Sequence, residues 1–149
     1  MPHPRLAPRS VRLTVLLLLG TASNAHADRA DTCPGLPANS GLTWTYQGGD
    51  DFGVCYASDG GPQATVIGIY FGNAPTFDPS RATAVAAGNV GGREVTWYRH
   101  DSAAGGDAFG LQTLLYVNRR YVAHVWVVAD SQAQLQQRLA ILKLIKFRP

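Results

Sequence analysis

The sequence predicts an α+β single domain, a mainly antiparallel sheet of about five to seven strands with a C-terminal helix packed on one face. Three observations lead there. Short segments with period-two alternation recur between breaks rich in glycine, asparagine and aspartate. Leu111 to Val117 and Tyr121 to Val128 flank the short polar connection Asn118-Arg119-Arg120, a hairpin pattern. A single apolar stripe at helical spacing then follows, with Leu135, Leu139 and Leu142 at i, i+4 and i+7. Strands followed by one helix favour an antiparallel sheet over alternating parallel units.

The first 27 residues stand apart from that domain. Arg5, Arg9 and Arg12 precede the apolar run Leu13 to Leu19, and Ala25-His26-Ala27 supplies small residues where a peptidase would cut. This is the order of a secretory signal, with cleavage expected between Ala27 and Asp28. The run is too short for a membrane anchor, which needs about twenty apolar residues. The predicted organisation is a signal peptide at 1–27, an extended segment at 28–41 and one domain at 42–149.

Removing the signal changes the charge. Its three arginines belong to the chain's 13 Lys and Arg residues, and it holds none of the 10 Asp and Glu. Ten cations then face ten anions, so the basic pI near 9.1 belongs to the signal. Nucleic-acid binding needs an excess of cations facing phosphates, and none remains. Attraction to an anionic membrane surface loses its basis in the same way. An exported domain with only Cys33 and Cys55 is expected to join them. A thiol pair for redox catalysis would usually be closer, as in C-x-x-C.

Along the domain, Leu42, Trp44 and Tyr46 alternate with Thr43, Thr45 and Gln47, a half-buried strand. Gly48 to Asp51 turns the chain, and Phe52 to Ala57 returns it. Gln63 to Phe71 is apolar on both rows, which suits a central strand covered on both faces. Arg81 to Ala87 is ambiguous between helix and strand, and Gly88 to Gly92 carries too much glycine for a regular helix. Arg93 to His100 reads as a strand, with Val95, Trp97 and Arg99 on one row. Residues 101–108 read as a surface loop. Ser131 to Gln134 fits a capping box at the helix start, and Leu144 to Phe147 could extend the helix or form an edge strand. This order of parts resembles the PsbP/Mog1-like fold, which implies an architecture and no function.

Chemistry-bearing residues are few. Gly48-Gly49-Asp50-Asp51-Phe52 resembles the GGDEF signature of diguanylate cyclases, with Asp51 in place of glutamate. That resemblance implies a nucleotide site on a hairpin, but the long helices of those cytoplasmic domains are missing, and a Gly-Gly-Asp turn is the reading adopted. His100-Asp101-Ser102 contains the residue types of a hydrolytic triad. Neighbours on a strand end alternate faces, however, and cannot form a relay. His124 with Asp130 and a serine is the remaining combination, without a G-x-S-x-G elbow to support it. Past the signal there are two histidines, His100 and His124, and one glutamate, Glu94, so no metal-ligand spacing emerges; His100, Asp101 and Asp107 merely border one loop. His124 shares its row with Val122, Trp126 and Val128, which favours a hydrogen-bonded core histidine. Trp44, Trp97 and Trp126 are expected in the core, while Arg119 and Arg120 suit a solvated hairpin tip.

No catalytic residue, cofactor or metal is therefore assigned. The expected function is that of an exported, periplasmic or secreted binding or accessory module of the cell envelope, an inhibitor or immunity protein being one form. Its partner would be an envelope protein or a small ligand. A small hydrolase using His100 or His124 is the competing enzyme reading, and a carrier with a pocket beneath the helix is the third.

Overall fold

The computed structural model describes residues 32–60, 65–100, 109–117 and 121–148. The signal segment with its expected cut, the 101–108 connection, Arg119 and Arg120 lie outside the described residues.

Seven strands form one antiparallel sheet: β1 (Thr43–Gly48), β2 (Gly53–Ser58), β3 (Ile67–Gly72), β4 (Ala84–Val90), β5 (Arg93–Arg99), β6 (Phe109–Tyr116) and β7 (Val122–Ala129). Their spatial order is β1-β2-β3-β7-β6-β5-β4. Two meanders therefore meet at the β3–β7 pair, and the connection after β3 carries the chain to the far edge. That connection holds a short 3₁₀ turn, Pro79–Arg81, so the ambiguous stretch after it resolves as strand rather than helix. β4 and β5 join through Gly91 and Gly92, both at positive φ (58° and 80°). Two consecutive left-handed residues make the turn that matches strand twist in a two-residue hairpin.

The one α-helix among the described residues, α1 (Gln132–Leu144), follows β7. Ser131 caps it, its Oγ accepting from Gln134 N–H at 3.2 Å, while Gln134 Oε1 reaches back to Asp130 N–H at 3.0 Å. The capping box is thus shifted by one residue on its return bond. The helix ends at Leu144, and the chain beyond it makes one bridge between Lys146 and Gly35 rather than an edge strand.

Registers place alternate residues on two faces. Cys55, Ile69, Val125 and Thr113 align across neighbouring strands on the face carrying α1. All are buried there, together with Trp97, Leu135 and Leu142. Buried Thr113 satisfies its hydroxyl on Thr96 O at 2.7 Å. Cys33 and Cys55 are joined in a disulfide that ties the N-terminal segment to β2. Trp44 Nε1 donates to Pro34 O at 2.7 Å, holding the same segment against β1.

Arg138 departs from the apolar stripe expected of the helix. It is buried between the helix and the sheet, where its guanidinium donates to Val128 O and lies 3.4 Å from Asp59 Oδ2. Leu139, by contrast, is only half-buried.

Candidate functional site

The helix runs obliquely, and its position decides where the sheet is left open. At its start Leu135 N–H bonds to Ser131 O beyond the end of β7, and near its finish Leu142 O accepts from Gly91 N–H at 2.9 Å. Between those ends α1 packs on β7 and on β4, and only lightly on β6. The result is a cleft of about 1100 Å³ walled by α1 on one side and β4 on the other. Its floor comes from β5 and β6, chiefly Trp97, Arg99 and Leu111. Trp97 is 2% exposed, and its indole lies across Gly88, where a Cβ would come 2.1 Å from Nε1. The α1 wall presents Gln132, Gln136, Leu139, Ala140 and Lys143, which recur along one face of the helix.

Two features of the cleft bear on recognition. It is lined by Val85 through Asn89 without a gap, so it takes in both rows of β4 and the strand edge itself. Among the described residues that line it none is acidic, whereas Arg99 and Lys143 are cationic. Neither cation has an ion-pair partner among the described residues.

His100 sits at the rim of this cleft, just past β5, its N–H bonded to Gly110 O at 3.0 Å. Asp101, Ser102 and Asp107 lie outside the described residues, so the triple that begins at His100 stays a sequence observation. His124 is elsewhere, on the opposite face of the sheet and 8% exposed. Its Nε2 lies 3.1 Å from Gln112 Oε1. Phe77 stacks on its ring at 5.3 Å, and Trp126 packs beside it at 5.3 Å. Burial, with a smaller contribution from the charge on His100, pushes its pKa down to about 4. The imidazole is therefore neutral at pH 7. Asp130 stands six residues along the chain from His124, roughly 20 Å at strand rise, too far for a relay. Exposed Glu94 pairs with Asn89 across the β4–β5 hairpin, away from both histidines. No cluster of three metal-ligating side chains exists among the described residues.

The Gly48 to Phe52 motif forms the β1–β2 turn, closed by Gly49 N–H to Phe52 O at 3.0 Å. Asp50 and Asp51 are exposed there, beside a smaller hollow of about 360 Å³ with Tyr46, Phe71 and Phe147 in its wall. Trp44 and Trp126 are half-buried, and Trp126 lies flat over Gly68 on the face away from the helix.

The residues that shape the cleft were not singled out by motif. Arg99 carried the one available signal, a cation placed on the row of buried Val95 and Trp97. Lys143 and Gln136 read only as the polar side of an amphipathic helix. No protein-family model matches this chain, and comparisons with curated proteins and with solved structures find no similar one.

Proposed function

We propose that this chain is an exported binding module of the cell envelope, periplasmic or secreted, that holds a protein partner in the cleft between α1 and β4. The cleft is the observation that carries this reading: it is large, open, and bounded by a sheet edge with no neighbour among the described residues. A concave site with an apolar floor and a few convergent polar groups is the usual form of a binding site. Export is supported by the signal-like N-terminus and by the Cys33–Cys55 disulfide, a bond that persists in oxidising compartments. Among the described residues no helix is long and apolar enough to cross a membrane. The buried, neutral His124, with Gln112 as its hydrogen-bond partner, gives a hydrolytic reading no support.

Photo-crosslinking in the producing cell tests the proposal. A photo-reactive phenylalanine analogue at Ala140, on the cleft wall, should yield a discrete adduct heavier by a protein's mass. The same residue at Thr45, on the opposite edge of the sheet, should not. An adduct of only a few hundred daltons at Ala140 would favour the small-ligand carrier, and equal labelling at both positions would remove the cleft from the account.

A further inference from the structure

Resting on that reading, we infer that the partner docks through an extended acidic segment at the mouth of the cleft, added to the outer side of β4 as an eighth strand. The first support is the edge itself. β4 ends the sheet, and among the described residues nothing pairs with its outer side. Alternate residues of an edge strand turn their N–H and C=O groups outward, a ready template for another strand. Natural edges are usually guarded by Lys, by Pro, by a β-bulge or by a covering element, and Ala84-Val85-Ala86-Ala87-Gly88-Asn89-Val90 has neither Lys nor Pro. Its one irregularity is the register shift between Ala84 and Ala86, at the strand's start. Small side chains along the edge let a second backbone come close, and Val85 is 50% exposed.

The second support is the shape of the site. Because the cleft is lined by consecutive residues from Val85 to Asn89, it reaches the edge of β4, and a strand added there would lie about 4.8 Å further out, at the mouth of the cleft. Main-chain bonds supply affinity in this mode and pockets for alternate side chains supply specificity. β4 has seven residues, which spans roughly 20 Å and suits a partner segment of similar length.

Charge selects the segment. Arg99 lies one residue past Tyr98, the partner of Ala84, and so marks one end of β4. Lys143 follows Leu142, whose carbonyl meets Gly91, and so marks the other. A strand with a carboxylate near each end meets a cation at both, in either direction. The same two cations disfavour a second copy of this chain, since edge-to-edge pairing would bring Arg99 and Lys143 of two copies towards one another.

The test uses calorimetric titration of the full exported chain with the peptide acetyl-Glu-Val-Thr-Val-Thr-Val-Glu-amide. Comparison peptides carry Lys at both ends, or N-methyl groups on the amides of one side or of the other. The acidic peptide should bind at least tenfold tighter than the lysine peptide. One of the two methylated peptides should lose tenfold or more while the other holds. Both changes, Arg99→Glu and Lys143→Glu, are on exposed residues, and together they should reverse the preference for charge. Equal binding by both methylated peptides would overturn strand addition, and equal binding by acidic and lysine peptides would overturn the choice of charge. A chain that sediments as a dimer through β4 would overturn the choice of occupant. If no peptide binds while the Ala140 adduct still forms, the inference fails and the binding reading stands; if the adduct is lost as well, both fail.

Discussion

On the face that carries α1, the two halves of the sheet are covered by different means. Over β2, β3 and β7 the interior is closed: Leu142 and Ile145 pack with Cys33, Cys55, Ile69 and Val125. The disulfide, the Trp44 bond to Pro34 and the Gly35–Lys146 bridge hold the covering chain in place. Over β5 and β6 there is a floor, with α1 and β4 as the walls of an open cleft. The helix touches β4 and β6 without sealing the space between, and Trp97 fills the space beneath by lying across Gly88. The same sheet thus supplies a stapled core and an open cleft. Stability is expected to reside in the first half and recognition in the second.

The largest expected effect that sharpens this contrast comes from two leucines three residues apart. Leu142 is 0% exposed, so Leu142→Ala should leave a cavity and cost about 4 kcal/mol. Leu139 faces the cleft, is already half-wet, and its replacement by Ala should cost about 1 kcal/mol or less. Urea unfolding of both variants measures the gap; equal losses would mean that α1 is packed alike on both sides. Next comes the staple. The bond between Cys33 and Cys55 closes a loop with a separation of 22 residues. Replacing both cysteines by Ala should lower stability by about 3 kcal/mol on the chain-entropy account. Peptide titration of the double variant should nevertheless be unchanged under conditions where it remains folded, because the cleft lies in the other half.

A smaller effect concerns the face without the helix. His124 binds its proton with a pKa of about 4 in the fold, against 6.5 for the free side chain. The unfolded chain therefore takes up a proton first as pH falls, and this contribution to stability is full above 6.5 and is lost on acidification towards 4. Between pH 7.5 and pH 5 the loss should be about 2 kcal/mol. His124→Gln, which keeps a polar side chain beside Gln112, should flatten that part of the profile. An unchanged slope would assign the acid sensitivity to other groups.

How much was legible in the sequence follows the same division. Segments rich in β-branched and aromatic residues, such as Val122 to Val128, announce their strand, and His124 was readable as a buried, hydrogen-bonded residue from its neighbours alone. Ser131 and Gln134 marked the helix start because capping is local chemistry. β4 was not legible: alanine and glycine have weak strand preference, and the segment is a strand because Trp97 needs Gly88 beneath its ring and Gly91-Gly92 turns the chain back. That glycine pair was readable as a hairpin turn, and it was the missed local signal. The cleft could not be read at all. It arises from the angle at which α1 crosses the sheet, set by contacts such as Leu142 with Gly91 and Arg138 with Asp59, which link residues far apart in sequence.

The smallest expected effect on stability is the sharpest probe of the open half. Val85→Lys places a charge on the free edge of β4 without removing a buried contact, so stability should stay within about 0.5 kcal/mol of the parent. A lysine there is nonetheless the device by which natural sheets discourage strand addition. If the edge is a template, the variant should bind the acidic peptide more weakly even though its new charge is of the attractive sign. It should also scatter less light than the parent when both are held partly unfolded at high concentration. Tighter binding would instead mean that attraction between charges dominates and that the main chain of β4 contributes little. The two outcomes have opposite signs, so one titration distinguishes an edge that is merely uncovered from an edge that recognises.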